Sequence, residues 1–82
     1  MVKGILLIQI IGGTGETLDW AKQTRDRLKK IPGVAEVYGV LGRFDLVAIV
    51  EAKSLEDLTN LVADKIRSIP GIQASETLTV AF

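Results

Sequence analysis

Residue patterning in this chain predicts an α+β domain of the ferredoxin-like plan, βαββαβ, in which a four-stranded antiparallel sheet carries two helices on one face. Three observations lead there. The segment Leu28-Lys29-Lys30-Ile31-Pro32-Gly33-Val34 returns as Ile66-Arg67-Ser68-Ile69-Pro70-Gly71-Ile72, a repeat of 38 residues, about the length of one strand-helix-strand unit. Each copy is preceded by apolar residues at helical spacing and followed by a run with the two-residue period of a strand. An apolar run of strand length stands ahead of each helical stretch.

The first strand spans Lys3 to Ile11 and is apolar on both alternating sets, which suits a central strand with both faces covered. Gly12-Gly13-Thr14-Gly15 ends it. From about Thr17 to Lys30, Ala21, Thr24, Leu28 and Ile31 make a helical stripe, with Lys22, Arg25, Asp26 and Lys29 on the outer face. Pro32-Gly33 stops that helix. Val34 to Val40 alternates, Leu41-Gly42-Arg43-Phe44 turns the chain, and Asp45 to Ala52 returns as a second apolar strand, so these two form a hairpin. Ser54-Leu55-Glu56-Asp57 fits a capping pattern, and Leu55, Leu58, Val62, Ile66 and Ile69 follow at helical spacing up to Pro70-Gly71. Ile72 to Phe82 closes as a long strand, with Ile72, Ala74, Leu78, Val80 and Phe82 on one side and Gln73, Ser75, Thr77 and Thr79 on the other.

At 82 residues the chain is a single domain, 1–82, and a domain of this size buries only roughly 60 to 65% of the surface its unfolded chain exposes. It contains no cysteine and no histidine, so disulfides and common metal sites are closed to it as sources of stability, and oligomerisation remains. A hydrophobic content of 48% points the same way, since so small an interior cannot hide it. Strands one and three are apolar on both sides while the helices cover one face, and a bare apolar patch of that kind predicts sheet-to-sheet dimerisation. Ten basic and ten acidic residues cancel, leaving no long-range field to gather nucleic acid or an anionic membrane. The first apolar run is far too short to span a bilayer and lacks a signal-type cleavage site, so a cytoplasmic protein is expected.

Many chemistries of this topology fail for want of side chains. Metal carriers need paired cysteines, and the oxygenases and lyases of dimeric barrels commonly use histidine; no cofactor is expected. RNA-binding sheets stack bases on two or three aromatics, but Tyr38, Phe44, Phe82 and Trp20 are scattered over a strand, a turn, the terminus and a helix. An acylphosphatase-like site needs an arginine after strand one and an asparagine for the water, and Asn60 lies mid-helix. Gly12-Gly13-Thr14-Gly15 reads either as an anion cradle or as a flexible connection, without the lysine of a P-loop. The basic residues Lys22, Arg25, Arg27, Lys29 and Lys30 are interleaved with Asp19 and Asp26, the pattern of a solvated helix face. Trp20 is an edge-of-core residue or an interface anchor.

Gly42-Arg43-Phe44-Asp45 places a carboxylate at the entry of a strand whose next seven residues carry one charge, Glu51. A glycine-led turn exposes backbone N–H groups that hold a carboxylate, and an acid three residues on accepts an ammonium; together they match the two ends of a free amino acid. The other reading is that Asp45 caps the hairpin turn, as aspartate often does.

With Ile31-Pro32-Gly33-Val34 leading into Glu36-Val37-Tyr38, then Gly42-Arg43-Phe44-Asp45 and Ile69-Pro70-Gly71-Ile72 leading into Ser75-Glu76-Thr77, the chain from Val2 to about Val80 resembles the ligand-binding RAM domain of the Lrp/AsnC (feast/famine) transcriptional regulators. The resemblance implies homodimers packed sheet to sheet, in a dimeric α/β-barrel-like association, assembled into octamer or decamer rings. It implies a small effector, usually an amino acid, bound between neighbouring dimers by Gly42, Arg43, Phe44 and Asp45, with Glu76 and Thr77 near the same cleft. Arg43 stands at the family's variable position. Family regulators carry a helix-turn-helix of roughly 60 residues ahead of this domain; here Met1 precedes the first strand directly, so a stand-alone RAM protein without direct nucleic-acid contact is expected. Such a protein senses an amino acid or mixes with full-length relatives.

Two other classes compete. A small enzyme with Asp45 as acid or base lacks the histidine, cysteine or paired carboxylates to share proton transfers, so no enzymatic activity is expected. A purely structural protein, or an ACT-like regulatory subunit of an enzyme, shares the topology. The ACT reading places the ligand at residues 12–15 instead of 42–45.

Overall fold

Ala21, Thr24 and Leu28 fall on one stripe, and the helix that carries them, α1 (Glu16–Lys29), turns it onto the sheet, with Thr24 and Leu28 buried. The structure is a computed structural model that describes the backbone of residues 1–10 and 16–82 and the side chains of residues 1–10 and 19–82. The Gly12-Gly13-Thr14-Gly15 loop, and with it the anion-cradle and ACT-like readings, lies outside the described residues.

Strands β1 (Val2–Ile10), β2 (Val34–Gly39), β3 (Leu46–Ala52) and β4 (Ile72–Thr79) form one antiparallel sheet in the order β2-β3-β1-β4. The helices α1 and α2 (Leu55–Asn60) complete the βαββαβ order. Alternation assigns the two faces: Leu6, Ile8 and Ile10 of β1 and Leu46, Ala48 and Val50 of β3 are buried with Val37 beneath the helices. Ile5 and Leu7 pair with Ile49 and Val47 on the opposite face, where no element among the described residues covers them and each stays partly exposed. Gly4 belongs to the helix face for a steric reason: a Cβ there would meet Leu58 Cδ2 and Val50 Cγ2, each at 3.2 Å.

The sequence repeat has a structural meaning. Gly33 and Gly71 hold φ of +101° and +95°, the left-handed region that side chains avoid, and each is overlain by a side chain from the helix of the other repeat. A Cβ on Gly33 would lie 2.8 Å from Leu61 Cδ2, and one on Gly71 would lie 2.8 Å from Trp20 Cε2. Both Ile-Pro-Gly turns are therefore closed by cross-packing, and Trp20, 41% exposed, is the lid of the second.

Three expectations are corrected. Leu55 does not join the buried stripe of Leu58, Val62 and Ile66; it is 58% exposed at the first helical position. The second helix is not uniformly α: residues Leu61–Ile66 form a π-helical segment, closed by an Arg67 N–H to Val62 carbonyl bond of 3.0 Å. Steps of four residues drift about 40° each on an α-helix, and unwinding after Asn60 keeps Leu58, Val62 and Ile66 facing the sheet. Lastly, the regular strand β4 ends at Thr79, and a register shift opposite Gln9 and Ile10 inserts Gln73 as a bulge. That bulge turns Ile72 onto the core side, away from the face that Ala74 and Leu78 share.

Candidate functional site

The connection from β2 to β3 is bound to the end of β1 by three hydrogen bonds. The Asp45 N–H donates to the Ile8 carbonyl at 2.8 Å, the Ile10 N–H donates to Asp45 Oδ2 at 2.8 Å, and Gln9 Nε2 donates to the Arg43 carbonyl at 3.0 Å. The hairpin itself closes through the Val40 N–H, which donates to the Asp45 carbonyl at 3.0 Å. Asp45 is thus a structural residue through one carboxylate oxygen. Its other oxygen, Oδ1, has no protein partner among the described residues. The turn-capping reading is corrected in its partner: the carboxylate accepts the Ile10 N–H of β1, not an amide of its own hairpin turn.

Gly42 has φ of +149° and open space where a Cβ would stand, so the turn needs glycine for conformation and leaves the backbone bare. Among the described residues the N–H groups of Gly42, Arg43 and Phe44 donate to no protein acceptor. Arg43 is exposed without an ion-pair partner among those residues, and Phe44 is half-buried. Among the described residues the turn therefore offers backbone N–H donors suited to an anion and a carboxylate oxygen suited to a cation.

Glu76 and Thr77 do not join this turn within one chain. β1 separates β4 from β3, and the two residues alternate: Glu76 lies opposite Leu7 on the uncovered face, Thr77 opposite Leu6 on the helix face. Sequence reasoning passed over Gln9, the residue that ties the turn's Arg43 carbonyl to the sheet. Its signal was available, since Gln9 is the one polar side chain between Lys3 and Ile10.

The uncovered face has an apolar centre and a polar rim. Leu78, Ile5 and Ile49 lie in one cross-strand row, Leu7, Val47 and Tyr38 in the next. At the margin Lys3 pairs with Glu51 at 3.8 Å, and the Tyr38 hydroxyl donates to Glu36 Oε2 at 2.6 Å. That bond, with repulsion between phenolate and carboxylate, raises the Tyr38 pKa above its ordinary value. Among the described residues no group of acidic, cysteine or histidine side chains is arranged to hold a metal ion, and no helix is long and apolar enough to cross a membrane.

The described residues thus form a four-stranded antiparallel sheet with two helices on one face, a bare apolar opposite face and a glycine-aspartate turn bound to its central strand. Residues 7–81 match the sequence family described as the Lrp/AsnC ligand binding domain, and the chain belongs to that family. An uncharacterized HTH-type transcriptional regulator of Pyrococcus abyssi is 37% identical over 57 residues, covering 70% of this chain and 38% of the regulator. The chain thus spans well under half the length of the curated relatives it matches. The crystal structure of TTHA0845 from Thermus thermophilus superimposes with a TM-score of 0.84 at 34% identity, over 98% of this chain and 92% of that one. A Neisseria meningitidis transcriptional regulator, solved as a complex with L-Met, shares the fold with a TM-score of 0.77 at 17% identity, over 99% of this chain and 50% of that one.

Proposed function

We propose that this protein is a non-enzymatic, cytoplasmic sensor of a free amino acid, acting in transcriptional regulation through its own assembly. Gly42, Arg43, Phe44 and Asp45 form the ligand-binding turn, with the effector carboxylate on the turn amides and its ammonium on Asp45 Oδ1. Glu76, on the uncovered face, completes the cleft from a neighbouring subunit, while Thr77 faces the helices of its own chain. Dimers form through the uncovered sheet face and close into octamer or decamer rings, and such rings can mix with full-length Lrp/AsnC regulators.

The observation that carries this reading is the division of labour at Asp45. One oxygen holds the Ile10 N–H and fixes the turn, and the other, like the N–H groups of Gly42, Arg43 and Phe44, has no partner among the described residues. A carboxylate pinned in this way is preorganised for an ammonium, since little of its freedom remains to be lost on binding. The family's description as a ligand-binding domain and the L-Met complex of a protein of the same fold support the amino-acid class.

The test is native mass spectrometry and calorimetry with each free amino acid on the wild type and on Asp45→Asn. The amide oxygen of asparagine still accepts the Ile10 N–H, so the turn survives while the charge is removed. Loss of a charge-assisted hydrogen bond of about 1.5 to 3 kcal/mol predicts affinity reduced by roughly tenfold to a hundredfold with the oligomer intact. Undiminished amino-acid binding by Asp45→Asn would reject the site, and rings that bind no amino acid would leave a structural or partner-modulating role.

A further inference from the structure

The helix layer leaves one strip of the sheet open. α2 packs on β1 and β3, and beyond Ile72 the helix-facing residues of β4 are Ser75, Thr77 and Thr79, too short to fill the space beside it. A cleft of about 230 Å³ results between β4 and the second helix. One wall is largely apolar, made by Leu55, Leu58, Val62 and Ala63 together with Thr59, whose hydroxyl donates to the Leu55 carbonyl, and the exposed Leu55 stands at its mouth. The other wall carries the Thr77 and Thr79 side chains, whose hydroxyls have no hydrogen-bond partner among the described residues.

Arg67 closes one end. It follows the π-helical segment, and its Nε donates to Ser75 Oγ at 3.2 Å, which holds the guanidinium against β4 and leaves its remaining N–H donors for a ligand. Among the described residues Arg67 has no ion-pair partner, and no acidic side chain lines the cleft. The space therefore holds one cation, two unpaired hydroxyls and an apolar wall, and π-helical turns recur at functional sites.

We propose that this cleft is a second binding site, selective for an apolar monocarboxylate that lacks an ammonium group. The carboxylate takes a bidentate pair of bonds from Arg67 and a third from the Thr77 hydroxyl. The alkyl tail lies against Leu58, Val62 and Ala63. A zwitterionic amino acid is disfavoured because its ammonium would meet no acceptor carboxylate and would stand against the guanidinium charge. At about 230 Å³ the cleft has room for a branched six-carbon acid.

The probe is 4-methylpentanoate, with 4-methylpentanamide and L-leucine as controls, followed by backbone amide NMR and calorimetry on the full chain. Expected are saturable shifts at Ala63, Thr77 and Thr79, and an affinity at least about tenfold weaker for the amide and for Arg67→Gln. Ala63→Leu, a change at an exposed position that fills the cleft, abolishes binding without loss of thermal stability. Equal affinity in Arg67→Gln, shifts centred on Gly42 to Asp45, or no saturable shift up to about 10 mM would each overturn the proposal. The amino-acid reading fails or stands separately, since its test is amino-acid binding by Asp45→Asn.

Discussion

Asp45 holds two strands and a turn together with one side chain and one peptide unit, which makes its substitution a test of structure as well as of binding. Asp45→Ala strands the Ile10 N–H and is expected to cost about 1 to 3 kcal/mol in denaturant melts, whereas Asp45→Asn costs less because an acceptor remains. Gly71 is a second residue with an outsized effect. Alanine there meets both a φ of +95° and the Trp20 indole, so Gly71→Ala is expected to destabilise by more than the roughly 1 to 2 kcal/mol of the backbone conformation alone. Adding Trp20→Ala should recover the steric part, which a double-mutant cycle reads directly. Tyr38 is the only tyrosine, so its titration is visible by ultraviolet absorbance. Glu36→Gln is expected to lower its pKa, because the carboxylate that accepts the phenol proton and repels the phenolate is gone. The sign for stability follows: with the folded pKa raised, the contribution is full below the unfolded value near 10 and is lost as pH rises through the folded pKa.

At the scale of an element, the second helix shows how local signals and packing divide the work. Ser54 starts it, its Oγ accepting the Asp57 N–H at 3.1 Å, as the Ser-x-x-acid pattern anticipates. Helical spacing put five apolar residues on its inner stripe, yet Leu55 and Leu58 differ sharply: the first is 58% exposed and the second fully buried against Gly4. Leu58→Ala is therefore expected to cost about 2 to 5 kcal/mol in chemical denaturation, while Leu55→Ala stays within about 1 kcal/mol. Spacing fixes angle around a helix axis but not how far the neighbouring sheet extends beneath each turn. The π-helical stretch has the same origin, since the four-residue steps Leu58, Val62 and Ile66 are visible in the sequence but the unwinding that aligns them depends on the sheet they face.

For the whole molecule, the central question is what covers the sheet's bare face. Alternation alone left open whether Leu6 or Ile5 points to the helices, and pairing decides it: Leu6 is buried in the core and Ile5 sits between Ile49 and Leu78 on the open face. The two positions now make opposite predictions. Ile5→Glu should leave a folded chain that no longer dimerises in sedimentation or native mass spectra, since a lone charge in an apolar interface costs several kcal/mol by order of magnitude. Leu6→Glu should fail to fold, with loss of the cooperative melt. A dimer unchanged by Ile5→Glu would reject packing through this face.

The Ile-Pro-Gly repeat, the two helical stripes and the strand alternation determined the βαββαβ order, because each is a local property read off neighbouring residues. The Gly42 to Asp45 turn was equally legible, as a glycine and a carboxylate at fixed spacing between two apolar strands. What neighbouring residues do not encode is who meets whom across the sheet. That Gln9 and Ile10 bind the turn, that Trp20 covers Gly71, and that a bulge reverses Ile72 all depend on strand register and on contacts between segments distant in the chain. The separation of Glu76 from Thr77 onto opposite faces, and of both from Asp45 by an intervening strand, has the same cause: a sheet alternates its side chains and orders its strands by pairing, not by sequence.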